Sequence, residues 1–147
     1  MDRPIVAENA GELKRLTSLA ERLSDDELNL PMGTDWTVSV AFAHLAFWDW
    51  RATVLLRKWK TSGVEPSPID IDVMNETLLP TWLAVPPRAA ANLAVTAAKV
   101  IDTEIAACSP ELASEIEEKI GKHPLYRSIH RKMHIDQIEE LVKKRRG

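Results

Sequence analysis

His130 and His134 stand four residues apart in Ser128-Ile129-His130-Arg131-Lys132-Met133-His134. On a helix, residues at that spacing are separated by about 40° around the axis and about 6 Å along it, so both imidazoles leave from one face. Two imidazoles so placed can ligate a single metal ion, as in helical His-Glu-x-x-His sites. Lys132 and Met133 stand inside the motif without the glutamate of that protease class, so a protease reading lacks its base. His44 gives the same pattern in an earlier segment. Ala41, Leu45, Trp48 and Leu55 lie near it at helical spacings, with Arg51 about 20° away. On the later helix Tyr126, Met133, Gln137, Ile138 and Leu141 share the face of His130, while Ser128, Lys132, Asp136, Glu139 and Lys143 fall opposite. Three of the four histidines are thus expected to face one core from two helices. Three imidazoles that leave positions open for water or substrate have the layout of a catalytic metal centre rather than a closed structural one. Being neutral, they leave the ion its full charge, which favours an anionic ligand and lowers the pKa of a bound water or thiol.

The surrounding residues carry two readings each. Arg51 could orient an anionic substrate group or pair with a buried carboxylate. Gln137 could hydrogen-bond a ligand or a metal-bound water. Trp48 and Tyr126 could line a pocket or pack in the core. Asp49 lies about 140° from His44 on the helical wheel and faces elsewhere, and no carboxylate between Asp70 and Glu76 is singled out as a general base. His123, before Pro124 in a loop break, is expected to be exposed. Cys108 reads as a small hydrophobe, and the five tryptophans can be spread over a core and a dimer face.

The elements that position these residues are helical. Leu13, Leu16, Leu19, Ala20 and Leu23 recur at three- and four-residue intervals and predict a helix from about Ala7 to Leu23. Ser24-Asp25-Asp26-Glu27 has capping-box spacing. Pro31 and Gly33 break the chain, and Asp35 or Thr37 caps a helix over Val38–Lys60 that ends near Gly63. Ser62–Asp70 reads as a loop. A shorter helical stretch runs from Ile71 to Leu83 with Pro80 disturbing it. Pro86-Pro87 opens an alanine-rich helix over Arg88–Ala107. Ser109-Pro110-Glu111 starts a short helix to about Ile120, and the last helix spans about Leu125 to Lys144. No stretch shows strand alternation or a hairpin turn. The pattern predicts an all-α fold, a four-helix bundle with crossover connections and extra short helices, as one domain over residues 1–147.

Composition sets the outer limits. The chain has 147 residues, 45% apolar, 28% charged and 5% aromatic, the profile of an ordinary folded domain. A chain of this size buries roughly two-thirds of its unfolded surface and needs no staples. Nineteen Lys and Arg against twenty-two Asp and Glu give a net charge of −3, which argues against a nucleic-acid partner. The Lys143-Lys144-Arg145-Arg146 tail complements a helix dipole and requires no such partner. No apolar run follows Met1-Asp2-Arg3-Pro4, so no signal peptide is expected. The longest apolar stretch, Val38–Leu56, holds His44, Asp49 and Arg51 and is too polar for a membrane span. The single cysteine fits a reducing cytoplasm.

The residues resemble the DinB/YfiT-like superfamily of metalloenzymes, which includes the mycothiol-dependent maleylpyruvate isomerase type. The resemblance rests on Asp35-Trp36-Thr37-Val38, Ala43-His44-Leu45-Ala46, Trp48-Asp49, Asn75-Glu76, and the run from Arg127 to Ile138 that contains His130 and His134. It implies a four-helix bundle, commonly a homodimer, whose metal is held by one His from the second long helix and two from the last. Carried over by motif, the ligands are His44, His130 and His134, the metal is zinc or nickel, and Asn75 is a pocket residue, with a cap as its other reading. Some relatives use a low-molecular-weight thiol as isomerases or transferases, and others are hydrolase-like. The isomerase type usually carries an additional C-terminal domain, and the resemblance covers the bundle alone. The resulting expectation is a metal-dependent enzyme acting on a small-molecule substrate. The alternative is a non-catalytic binding or sequestering bundle with a structural or absent metal.

Overall fold

The computed structural model describes residues 3–147. The expectation about the leader falls partly on Met1 and Asp2, which lie outside the described residues. Among those described, the fold is all-α, with seven helices and one two-residue strand pair. Helix α1 spans Pro4–Arg22. It begins three residues earlier than the apolar spacing suggested, because Pro4 sits at the first turn, where its missing N–H costs nothing. Helix α2, Asp25–Leu28, is opened by the expected capping box: Ser24 Oγ accepts from the Glu27 amide at 3.1 Å, and Glu27 Oε1 accepts from the Ser24 amide at 2.9 Å.

Strands β1, Pro31–Met32, and β2, Trp36–Thr37, pair antiparallel, which corrects the expectation of no hairpin. Two residues per strand are too few to show alternation. Gly33, at φ 73°, takes the left-handed conformation of the reversal. Thr37 then caps α3, Val38–Ser62, its hydroxyl accepting from the Val40 amide at 3.2 Å. Asp70 caps α4, Ile71–Ala84, which runs unbroken through Pro80. Helix α5 spans Pro87–Ala107, α6 Pro110–Lys119 behind its Ser109 cap, and α7 Arg127–Arg146.

The four long helices pack in the cyclic order α1–α5–α3–α7. The intimate contact is α3 on α5, where Ala90, Ala91, Ala94, Ala97 and Ala98 are fully buried; side chains this small let two backbones approach closely. Apolar packing is split in two. One cluster gathers Leu16, Leu19, Phe42, Leu45, Ala94 and Ile138, and the other Ile5, Leu56, Trp59, Ile101, Ile105 and Leu125.

Between the two clusters lies a polar layer, drawn from all four long helices. Arg131, fully buried on α7, grips Asp102 of α5 through Nη1 and Nη2 at 2.9 and 2.7 Å. Asp49 of α3, also buried, accepts from Arg127 Nε at 2.7 Å and from Arg131 at 3.4 Å. Asn9 of α1 accepts from the Ser128 amide at 2.8 Å and donates to the Leu125 carbonyl at 2.8 Å. Two guanidinium groups and two carboxylates balance, and the remaining donors reach the Asn9, Ala98 and His123 carbonyls, which a charge set buried this deeply requires.

This layer corrects the wheel reading of α7. Its buried residues, Arg127, Ser128, Arg131, His134, Ile135, Ile138 and Val142, centre about 100° from His130. Ser128, expected opposite, is inside, while Met133 and Gln137 are exposed. Arg131, which the apolar pattern assigned to neither face, lies at the centre of the buried arc. His130 and His134 therefore stand at the edge of the core, where a site can open outward.

Candidate metal centre

His44 comes from α3, and His130 and His134 come from successive turns of α7. The three ring centroids are mutually 4.8 Å apart, and one nitrogen of each ring lies within 4.8 Å of the others. His44 Nε2 and His130 Nε2 face each other at 2.9 Å. Nitrogens bound at about 2.1 Å to one ion stand about 3.0–3.4 Å apart for angles of 90–109°, so this pair is within about 0.1 Å of the closest spacing a shared ion needs.

Two of the rings, His134 and His130, are contacted from behind. The Gln137 amide oxygen lies 2.9 Å from His134 Nδ1. An amide oxygen only accepts, so that nitrogen carries the proton and Nε2 presents its lone pair. His134 Nε2 is buried and has no hydrogen-bond partner among the described residues, and neither has His44 Nδ1. A buried lone pair left unmatched costs about 1–3 kcal/mol, and a cation placed against His134 Nε2 removes that cost. The orphaned nitrogen and the all-imidazole donor set fit a metal ion. Arg127 Nη2, which only donates, lies 3.4 Å from His130 Nδ1 while Asp49 accepts from Arg127 Nε. This pairing puts the His130 proton on Nε2, facing His44 Nε2; an ion bound there would require the proton to move to Nδ1 and the 3.4 Å contact to open.

Burial keeps these imidazoles neutral, the state that binds metal. The His44 pKa is pushed down to about 3 by burial, and further by His134 and Arg127. That of His130 is pushed down to about 2 by burial and then by the neighbouring Arg127 charge. His134 is lowered by burial, against the opposing effect of Gln137.

Aromatic rings close the inner side. Trp36, delivered by β2, stands 4.7 Å from His44, and Trp82 of α4 meets the same ring edge-on at 5.3 Å. The outer side opens on a cleft of about 790 Å³ between α3, α4, the α6–α7 turn and α7. Trp48, Arg51, Asn75 and Tyr126 all line it. Trp48 Nε1 donates to Asn75 Oδ1 at 3.0 Å, tying α3 to α4. Arg51 pairs with no carboxylate among the described residues; its Nη2 donates to the Ser67 carbonyl at 2.7 Å and its guanidinium lies 5.8 Å from the centre of the Trp48 ring. Gln137 is not among the cleft-lining residues and serves His134 instead. His123 is exposed at the rim, and Asp49 faces the polar layer, as expected.

Sequence reasoning missed Arg127, Asp49, Trp36 and Trp82 as supports of the triad. The signal for Arg127 was its position three residues before His130, on the same side of the helix. Trp36 carried no comparable signal, because a two-residue strand delivers it. No helix among the described residues is long and apolar enough to cross a membrane. Comparisons with protein-family models, curated proteins and solved structures return no match to this chain.

Proposed function

We propose that the protein is a metal-dependent enzyme acting on a small molecule, built as a four-helix bundle of the DinB/YfiT-like kind. His44, His130 and His134 hold a divalent ion, zinc or nickel. One observation carries the reading: three neutral imidazoles converge, one with an orphaned buried lone pair, at the inner end of an open, largely apolar cleft. The cyclic order of the long helices supports the bundle, since the α1–α3 and α5–α7 connections both cross between helices that are not neighbours.

A bound ion supplies Lewis acidity, lowering the pKa of a water or a low-molecular-weight thiol in the cleft. The chain's own residues do the remainder. Gln137 fixes the His134 tautomer, Arg127 and Asp49 buttress His130, and Trp36 and Trp82 keep water from the inner face of His44. No carboxylate lines the cleft among the described residues. That favours a thiol nucleophile over water, because a thiol of pKa about 8.5 ionises beside a cation without a general base. The chemistry is of the transferase or isomerase kind, with hydrolysis second.

Elemental analysis of protein purified without chelators tests the reading. Close to one ion per chain is expected, lost in His44→Ala, His130→Ala and His134→Ala; less than about 0.2 equivalents after supplementation overturns it. Dimerisation, which the resemblance also implies, is checked by sedimentation.

A further inference from the structure

The cleft has a polarity along its length. Its inner end is the histidine triad. Arg51 lies seven residues along α3 from His44, which is about 10 Å of rise and about 20° of rotation, so both line the same wall. Between and around them the walls are apolar, with Trp48, Leu55, Ile69, Tyr126, Ile129 and Met133. Ile69, Ile71, Ile129 and Met133 are large apolar side chains left 40–65% exposed at this one mouth. Scattered singly they would be unremarkable; gathered round a cleft they mark a surface that binds something apolar.

The charges of the cleft are all positive or neutralised. Arg127 is matched by Asp49 and Lys119 by Glu115. Arg51 is different. Among the described residues it makes no ion pair, and its Nε and Nη1 have no protein acceptor. Its pKa is lowered by burial and by the nearby Arg127 charge, so its charged surroundings repel rather than stabilise it. A half-buried guanidinium without a counter-ion, facing a concave apolar wall, is satisfied by a carboxylate, which can accept a charge-assisted hydrogen bond from the free Nε–H or Nη1–H.

We propose that the cleft binds an amphipathic carboxylate, with its acid group on Arg51 and its apolar body lying along the wall toward the three histidines. This names the substrate class for the reading above and rests on it for the chemistry, but the anion subsite itself requires no metal. The rise of about 10 Å between the two backbone positions sets the scale of the ligand, that of a medium-chain fatty acid or a two-ring aryl acid, and the volume of about 790 Å³ admits either.

Calorimetric titration with octanoate, octanol and octylamine tests the assignment, on the full chain as purified and again after chelator treatment. Octanoate is expected to bind about tenfold or more tightly than octanol in both states, with octylamine weakest. Arg51→Gln should erase that preference, weakening octanoate about tenfold while leaving octanol within about twofold; Arg51→Lys should restore part of it. Equal binding of octanoate and octanol, or a preference unchanged in Arg51→Gln, overturns the proposal. So does a cleft closed by a second copy, seen as a dimer that excludes octanoate until Met133→Asp splits it. A preference for octanoate in protein that takes up no metal even after supplementation sinks the metal reading and leaves this one standing; metal uptake without the preference does the reverse.

Discussion

Oε1 of Gln137 stands 2.9 Å from Nδ1 of His134, one turn further along α7. The amide oxygen fixes which nitrogen of the ring is protonated and so leaves Nε2 free to face the other two imidazoles. Gln137→Leu removes that acceptor at an exposed position, where the fold is insensitive. Metal affinity, measured by competition with a chromophoric chelator, should fall about tenfold or more, with unfolding midpoints unchanged. Unaltered affinity would show that the contact does not orient the ring.

Asn9 reaches across from α1 to the start of α7. Tyr126 provides no side-chain cap there, and Asn9 Oδ1 accepts from the Ser128 amide in its place, while Asn9 Nδ2 donates to the Leu125 carbonyl. Asn9→Leu should cost about 2–3 kcal/mol in urea unfolding, because two buried backbone groups lose their partners. Asn9→Asp keeps only the acceptor and should fall between. A loss below about 0.5 kcal/mol in Asn9→Leu would mean that α7 starts without help.

Asp49 is the shared counter-ion of two buried arginines. Asp49→Ala leaves Arg127 with no carboxylate and Arg131 with Asp102 alone, and should destabilise the fold by about 3–5 kcal/mol. Arg57→Ala, which breaks an exposed pair with Glu104, should cost under about 1 kcal/mol. Comparable losses in the two variants would refute the structural weight placed on the polar layer.

Acid should weaken the metal-free protein well before its carboxylates titrate. An unfolded imidazole has a pKa near 6.5, while His44 and His130 in the fold lie at about 3 and about 2. Between those values the unfolded chain binds the extra protons, so stability is full above about pH 6.5 and is lost as pH falls below it. Each ring contributes about 1.4 kcal/mol per pH unit on the steep part of the curve. Urea midpoints measured from pH 7.5 to 5 should therefore decline, and less steeply in His130→Asn. Equal slopes would place His130 outside the buried set.

The helices were legible in the sequence because their punctuation is local. Ser24 with Glu27, Thr37, Ser109 and the prolines at Pro87 and Pro110 act within one turn of themselves. The approach of His44 to His130 and His134 was legible too, because helical spacing put all three on inward arcs. The layer that supports them was not. Asn9 and Ser128 are 119 residues apart, and nothing in either neighbourhood announces the bond. Nothing local marks Arg131 as buried until Asp49 and Asp102 are known to surround it, and without it the inferred face of α7 lay about a quarter of a revolution away. Arg51 was open between a carboxylate and a ligand because the contacts of a long, flexible side chain depend on tertiary structure.

The placement of the two α7 histidines at the margin of the buried arc has a consequence for how this scaffold can diversify. Arg127, Arg131, Ile135 and Ile138 on one side of the helix are committed to the interior, and substitution there is penalised through stability. Ile129 and Met133, interleaved with them along the chain, touch only the mouth of the cleft and are largely exposed. Selection for a new substrate can therefore rewrite Ile129 and Met133 while the imidazoles and their supports stay fixed. Reactivity and selectivity are inherited separately, on alternate sides of a single helix.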